Sequence, residues 1–474
     1  MKPSAGRALR RISFLLALFT AANVHSQTRT LRIAAYNIEA DIGVTNKQST
    51  FTNIVTSSGT GPVLPGLIAP ATNGSLILQG GVLEGIGEEV LKGNAQPVDV
   101  LALEETTSNP GTVTAIVNGL NTFYGIPGMY ADSPYQATEE SGDTGNGNGP
   151  NAVVYNTHTV QLLGSSPVDP AGGASQLGGY ASGLSGEYRE VMRYQFAPAD
   201  VVANTGNTFY LYVSHYKSGS NTTSNNWESR VGEAQIVRSN MIYTLPAGSR
   251  ILHVGDFNTG ETTEPMYGVL TAAGVNQLID PLNTGYSLTT NFDSGSVVSN
   301  LTDSDTFVQY RDDYQIMTTN VYYGPATGLK LVPGTYHTFG NNGSIGYKGT
   351  ASSGNTVLNN NLVTNGPVFV PAAQLYVDLT GASDHFPVVA DYTLPMPQPM
   401  LRTAKAAGAN LVLTATNAIT NAVYVVLTSP NIMAPLANWQ PVATNVPPFG
   451  AFTFTVTNVV SATTPAQFFI LETQ

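Results

Sequence analysis

Short runs rich in β-branched and aromatic residues recur along this chain, and most of them carry a carboxylate, an amide or an imidazole at one end. The runs are LRIAAYNIE (31–39), VDVLALEE (98–105), NAVVYN (151–156), FYLYVSHY (209–216), ILHVGDFN (251–258), DYQIMTT (313–319) and FPVVADYTL (386–394). Their length, composition and flanking turn residues predict buried strands. Asn37 and Glu39 close the first, Glu104 and Glu105 the second, His215 the fourth, and Asp256 and Asn258 the fifth, while Asp384 and His385 precede the last. One polar strand end is ordinarily a backbone cap or a solvated turn. Five of them can line one cleft.

Between the strands lie helical patterns, SRVGEAQIVRSNMIYTL (229–245) and EPMYGVLTAAG (264–274), so the expected body is a layered α/β domain. Residues 42–80 and 338–366, rich in Gly, Asn, Ser and Thr, read as long surface insertions. PMPQPM (395–400) is a Pro-rich linker. Beyond it NLVLTAT, AVYVVLTS, WQPVAT, AFTFTVTNV and QFFIL predict about five alternating strands in a small all-β sandwich, residues 401–474. That segment has no His, and Glu472 is its only acidic residue, so it is poorly supplied for acid–base or metal chemistry.

The N-terminus opens with Lys2, Arg7, Arg10 and Arg11, continues through an apolar core from Ile12 to Val24, and reaches the small-residue site Val24-His25-Ser26. This predicts a signal peptide, residues 1–26, cleaved near Ser26 to give a secreted or periplasmic protein; the apolar core is shorter than the roughly 18–20 residues of a bilayer span. Removing those four basic residues takes Lys+Arg from 19 to 15 against 31 Asp+Glu, and the net charge from −12 to −16. Such a chain has no broad basic surface with which to grip nucleic acid by charge alone, whereas a bound divalent cation would supply positive charge locally. With no cysteine, disulfides and thiolate metal sites are excluded, and any ion must be held by oxygen and imidazole.

Asn, Asp, Glu and His are hard oxygen donors plus imidazole, a set that suits Mg²⁺, Mn²⁺ or Ca²⁺. Asn37 and Glu105 form the natural pair of metal ligands, with Asp384 a further one. His215 and His385, each beside carboxylates, suit proton transfer near neutral pH. Asp384 precedes His385, and Asp313, in the strand YRDDYQI, is placed to orient it.

The ordered set YNIE, LEE, SHYKSG, GDFN, RDDY and SDHFP resembles the endonuclease/exonuclease/phosphatase superfamily, over roughly residues 30–394. The resemblance implies a four-layered αββα sandwich of two mainly antiparallel β-sheets flanked by helices, here spanning 27–394 and followed by the small C-terminal all-β domain. It implies a metal held by Asn37 and Glu105, with Asp384 near it and Glu39 either supporting those ligands or holding a second metal. Asp256 and Asn258 orient water and hold the phosphate; His385 is the general base with Asp313 its partner; His215 binds phosphate and assists the leaving group. Arg189 and Arg193 of YREVMRYQF both fit the phosphate-binding arginine, Arg189 being preferred. The sequence departs from the family at Glu104, where LEE stands for the common LQE. The implied activity is divalent-metal-dependent phosphodiester hydrolysis, with nucleic acid the first substrate, a sphingomyelinase or phospholipase C-like enzyme the alternative, and a non-catalytic surface-binding protein the alternative of another class.

Overall fold

The computed structural model describes residues 28–38, 81–106, 111–133, 151–168, 189, 191–204, 206–219, 226–259, 264–282, 298–303, 308, 310–343, 379, 382–418, 423–447, 450–459 and 467–473. The expected signal peptide, the insertion 42–80, most of the insertion 338–366, Glu39 and Gly260 lie outside them. The chain divides into two compact units, Thr28–Pro395 and a second one beginning at Met396.

The large unit contains the strands β1 (Thr28–Asn37), β2 (Val100–Glu104), β3 (Tyr130–Asp132), β4 (Ala152–Asn156), β5 (Val160–Val168), β6 (Val191–Pro198), β7 (Phe209–His215), β8 (Ile251–Asp256), β9 (Leu278–Ile279), β10 (Asp313–Thr318), β11 (Lys330–Leu331), β12 (His337–Thr338) and β13 (Val388–Pro395). Its helices are α1 (Val82–Glu88), α2 (Gly111–Tyr124), α3 (Asn226–Tyr243), α4 (Pro265–Thr271) and α5 (Thr319–Tyr322). One sheet has the order β11-β13-β1-β2-β4-β3 with β12 also on β13; the other has the order β5-β6-β7-β8-β10-β9. All pairs are antiparallel except β1 with β2 and β7 with β8.

Strand alternation sorts the apolar residues into layers. Leu31, Ile33 and Ala35 of β1 and Val100 and Ala102 of β2 meet Leu211 and Val213 of β7 and Leu252 and Val254 of β8 between the sheets. On the outer face of the first sheet Ala34, Tyr36, Leu101 and Leu103 pack on α1 and α2. On the outer face of the second, Tyr212, Ile251, Tyr314 and Ile316 pack on α3 and α4. The result is the αββα sandwich that the motif order implied. A polar strut crosses it: Gln315 Nε2 of β10 donates to the carbonyls of Ile33 (3.1 Å) and Val388 (2.6 Å) on the opposite sheet, and Tyr392 Oη donates to Gln315 Oε1 at 3.0 Å.

Several elements differ from the sequence expectation. Neither α1, seven residues with two glycines, nor α2, interrupted by Gly119, has the uniform helical periodicity that would announce it. β5 is half-exposed and contains Pro167, which suits an edge strand. The start of the expected insertion at 338 instead completes β12, whose His337 and Thr338 pair with Val389 and Val388.

The second unit holds two three-stranded sheets, β14-β15-β18 (Met400–Ala407, Asn410–Ala418 and Gly450–Val456) and β17-β16-β19 (Gln440–Asn445, Tyr424–Ser429 and Phe468–Thr473). Leu411, Leu413, Tyr424, Val426, Phe452 and Phe454 share their core. β14 is additional to the five expected strands; it is mostly exposed and lacks an apolar row, so no alternation betrays it.

Candidate active site

The same alternation that builds the core between the sheets carries polar groups to its rim. In β1 the inward row Leu31, Ile33, Ala35 continues with Asn37; in β2 Val100 and Ala102 lead to Glu104; in β7 Leu211 and Val213 lead to His215; in β8 Leu252 and Val254 lead to Asp256. β10 runs the opposite way and starts on Asp313. Register brings these ends together: Asn37 lies opposite Glu104, and Asp256 lies opposite both His215 and Asp313. All five are buried.

Two backbone departures finish the arrangement. Glu105 has φ 53°, and this left-handed turn swings its carboxylate beside Asn37 although it stands one residue past the inward row. Gly255 has φ 123°, and a Cβ there would collide with the Ser214 carbonyl oxygen and Glu104 Oε1, so glycine is required for β7, β8 and the Glu104 side chain to approach. After Asp256 the simple alternation stops. Phe257 enters the outer core, stacked between Tyr216 and Tyr314 at 5.1 and 5.0 Å between ring centroids. Asn258, at φ 48°, folds back so that its N–H donates to Asp256 Oδ1 (2.7 Å) and its Nδ2 to Asp256 Oδ2 (3.1 Å) and the Tyr216 carbonyl (2.9 Å).

Asn37 Nδ2 donates to Glu105 Oε1 (3.2 Å) and Asp256 Oδ2 (3.1 Å), and His215 Nε2 lies 3.5 and 3.4 Å from the same two oxygens. Across Asp256, His385 Nδ1 donates to Asp313 Oδ2 at 2.7 Å, a charge-assisted bond. That bond leaves Nε2 facing the cleft, 3.8 Å from Asp256 Oδ2 and 3.6 Å from Asp384 Oδ1. Ser383 holds the preceding turn, donating to the Asn37 carbonyl (2.6 Å) and accepting the His385 N–H (3.0 Å). Ser383 was not among the expected site residues; its signal was the serine of SDHFP.

Electrostatics separates the two imidazoles. Burial first, then the cations Arg189, His385 and Lys217, push His215 well below the usual range, so it is neutral. Burial also opposes charge on His385, but Asp313 and Asp256 outweigh it and raise its pKa well above the usual value. Asp256 is raised to about 6, chiefly by burial and by Asp313, with His385, the Asn258 N–H and Asn37 opposing. Glu104 is raised well above the carboxylate range by burial and by Asp313 and Asp256.

Two donor groups within reach of a single ion emerge among the described residues: Glu105, His215 and Asp256, and Asp256, Asp313 and His385. The donors fit a hard divalent cation, because carboxylates converge in a buried space where neither oxygen of Glu104 has a hydrogen-bond partner. The expected ligands Asn37 and Glu105 stand in this space. The expected ligand Asp384 lies at its rim, one-third exposed and outside both groups. Of the two arginines, Arg189 is buried beside the site, donating to the Tyr216 carbonyl (2.9 Å) and Ser218 Oγ (3.4 Å). Arg193 is engaged elsewhere, with Asn240, Thr244 and Ser166.

No family model matches the sequence, and no curated protein matches it. Among solved structures, the chain is similar to an endonuclease/exonuclease/phosphatase from Bacteroides vulgatus (15% identity, 77% of this chain and 99% of that one, TM-score 0.40). It is similar to the human nocturnin catalytic domain with bound sulfate (14%, 78% and 96%, TM-score 0.42) and to D. rerio TDP2 complexed with a single-strand DNA product (13%, 77% and 98%, TM-score 0.40). Through its own two-sheet sandwich and the residues gathered at its strand ends, the chain resembles the endonuclease/exonuclease/phosphatase superfamily.

Proposed function

We propose that this chain is a divalent-metal-dependent phosphodiesterase, with nucleic acid as its substrate. The observation that carries the reading is the His385–Asp313 pair, 2.7 Å apart, with the other imidazole nitrogen turned toward Asp256, whose Oδ2 also accepts from Asn37. Asn37, Glu105 and Asp256 would hold Mg²⁺, Mn²⁺ or Ca²⁺, with Asp384 at the rim. When bound, the ion polarises a phosphoryl oxygen and offsets the carboxylate charge that keeps His385 protonated.

Asp313 fixes the tautomer of His385, so that Nε2 accepts the proton of an attacking water. Asp256, whose side chain lies within 4 Å of His385 Nε2, orients that water. Neutral His215, the Asn258 amide and Arg189 bind the phosphate, and His215 faces charge developing on the leaving oxygen. The products of diester hydrolysis are a phosphomonoester and an alcohol.

Purified protein should hydrolyse bis-p-nitrophenyl phosphate and DNA with one of these ions, and His385→Ala should lose that activity. Equal turnover by His385→Ala and wild type would sink the reading. A panel of DNA, RNA and sphingomyelin separates the substrate classes. Export is part of the same reading, with cleavage near Ser26; N-terminal sequencing of the protein released from producing cells checks it.

A further inference from the structure

A closed ring of hydrogen bonds fixes the His385–Asp313 pair, and Thr302, which is wholly buried, closes it. Thr302 Oγ1 accepts the N–H of Asp312 at 2.9 Å and that of Asp313 at 3.0 Å. Its carbonyl accepts the N–H of Phe386, the residue after the imidazole, at 2.8 Å. Its own N–H donates to the Tyr310 carbonyl at 2.7 Å, and the next residue, Asp303, pairs with His385 in an isolated antiparallel bridge. The ring thus runs from Thr302 to Asp313, across the 2.7 Å side-chain bond to His385, and back through Phe386. The carboxylate and the imidazole stand 72 residues apart in the chain, so no local turn sets their spacing.

Only one link of this ring depends on which residue stands at 302. The backbone bonds form with any residue but proline, whereas the two bonds at Oγ1 require a hydroxyl. A hydroxyl oxygen has two acceptor positions, and the Asp312 and Asp313 amides take both. The peptide that leads into Asp313 is gripped at its other end as well, because the Asp312 carbonyl accepts the Phe257 N–H at 2.7 Å. Thr302 is anchored in turn: Asn341 Nδ2 donates to the carbonyls of Val298 (2.6 Å) and Leu301 (2.9 Å) just before it. Water can satisfy the first amides of a strand. Tying them instead to the residue that also holds Phe386 fixes the distance from carboxylate to imidazole.

We propose that Thr302 is a positioning residue of the hydrolytic site, its hydroxyl setting where the Asp313 carboxylate stands and hence which way the His385 imidazole faces. The proposal rests on the phosphodiesterase reading of the cleft. Hydrogen bonds weaken steeply as they bend, so a small shift of the Asp312–Asp313 peptide loosens the pair while leaving the sandwich folded. Ser383 is the counterpart on the other flank, its Oγ accepting the His385 N–H and donating to the Asn37 carbonyl.

The test reads the pair directly. The downfield proton resonance of His385 Nδ1–H, recorded without added metal and identified by its loss in His385→Ala, should move upfield or broaden away in Thr302→Val, which keeps the side-chain shape but removes the acceptor. On bis-p-nitrophenyl phosphate, with whichever of Mg²⁺, Mn²⁺ and Ca²⁺ supports turnover, kcat should fall about 10²-fold while KM stays within about twofold, the signature of a base misplaced by about 1 Å. Thr302→Ser should restore both readouts. Thr335→Val, which removes another buried hydroxyl, one that accepts the Asp391 N–H at 3.0 Å, should leave both as in wild type. Where Thr302→Val yields no folded protein, Thr302→Cys, whose thiol is a weak acceptor, takes its place and should show the same displaced resonance. A wild-type resonance in either variant overturns the proposal, as does absence of the resonance from wild type or a Thr302→Ser protein no better than Thr302→Val. If wild type turns over no phosphoester, the catalytic reading falls and the resonance alone decides Thr302.

Discussion

Replacing Asp313 with Asn keeps the size of the side chain but removes the charge that holds His385. The bond it makes to His385 Nδ1 is 2.7 Å long, and both Asp313 oxygens are buried. Asn can offer the same imidazole nitrogen an N–H in place of an acceptor, which favours the wrong tautomer and turns the basic nitrogen away from the cleft. Loss of a correctly held general base is worth about 10²–10⁴ in rate, or roughly 3–5 kcal/mol at 1.36 kcal/mol per decade. There is a second, independent signature. Asp313 is the leading opposite charge that raises His385, so its removal lowers the pKa of the base. A base must be deprotonated to act, so the acid limb of the pH–rate profile should move to lower pH while the plateau falls. The assay is kcat/KM on bis-p-nitrophenyl phosphate from pH 5 to 9 at saturating metal. A kcat within threefold of wild type together with an unmoved acid limb would refute the reasoning.

Saturating divalent metal at about a hundred times its Kd should stabilise the large unit by ~2.7 kcal/mol; at ~2.1 cal/mol/K per residue this raises its melting temperature by roughly 3–4 °C. An unchanged melt with each of Mg²⁺, Mn²⁺ and Ca²⁺ would remove the metal site. Gly255→Ala should cost roughly 3 kcal/mol or more, since it adds a backbone collision to a φ that alanine disfavours; a urea midpoint close to wild type would contradict this. Burial raises Asp99 from 3.8 to about 7, against hydrogen bonds from Thr159 and the Arg32 N–H. Its folded pKa lies above its unfolded one, so the stability it contributes is complete below pH ~4 and lost as pH rises through ~7. Asp99→Asn should therefore gain stability relative to wild type between pH 4.5 and 7.5 in urea unfolding, and a constant difference would contradict the assignment.

The central strands of both sheets were legible because each is a β-branched run, and the polar groups at their ends were legible because they interrupt that pattern. What periodicity did not give is how those groups pair. Simple alternation aims Glu104 inward, and Glu105 reaches Asn37 only through a left-handed backbone that no sequence pattern announces. His215 Nε2 shares the oxygens of Glu105 and Asp256 with Asn37, a consequence of the parallel β7–β8 register, which depends on strands distant in sequence. Asp384 looked equivalent to the other carboxylates but sits at the rim because the strand proper begins only at Val388. The hydrogen bonds by which Glu233 and Arg230 hold the backbone of Arg189 and Lys217 were hidden inside a stretch that reads as an ordinary helix. Arg32, mid-strand in an apolar run, points outward and pairs with Asp391 in a buried two-pronged bond, an internal polar contact that looks like a flaw in the pattern until β13 is laid beside it.

That adjacency of β1 and β13 has a temporal consequence. The first strand of the large unit pairs with its last, Thr28 with Pro395 and Ala35 with Val388. A ribosome must therefore deliver almost the whole unit before β1 gains its outer neighbour, and His385 is delivered just ahead of that final strand. Asn37 is made near the beginning and waits through most of synthesis for the residues it works beside. No partial chain ending before His385 can carry the complete constellation, so any hydrolytic competence arrives in one late step.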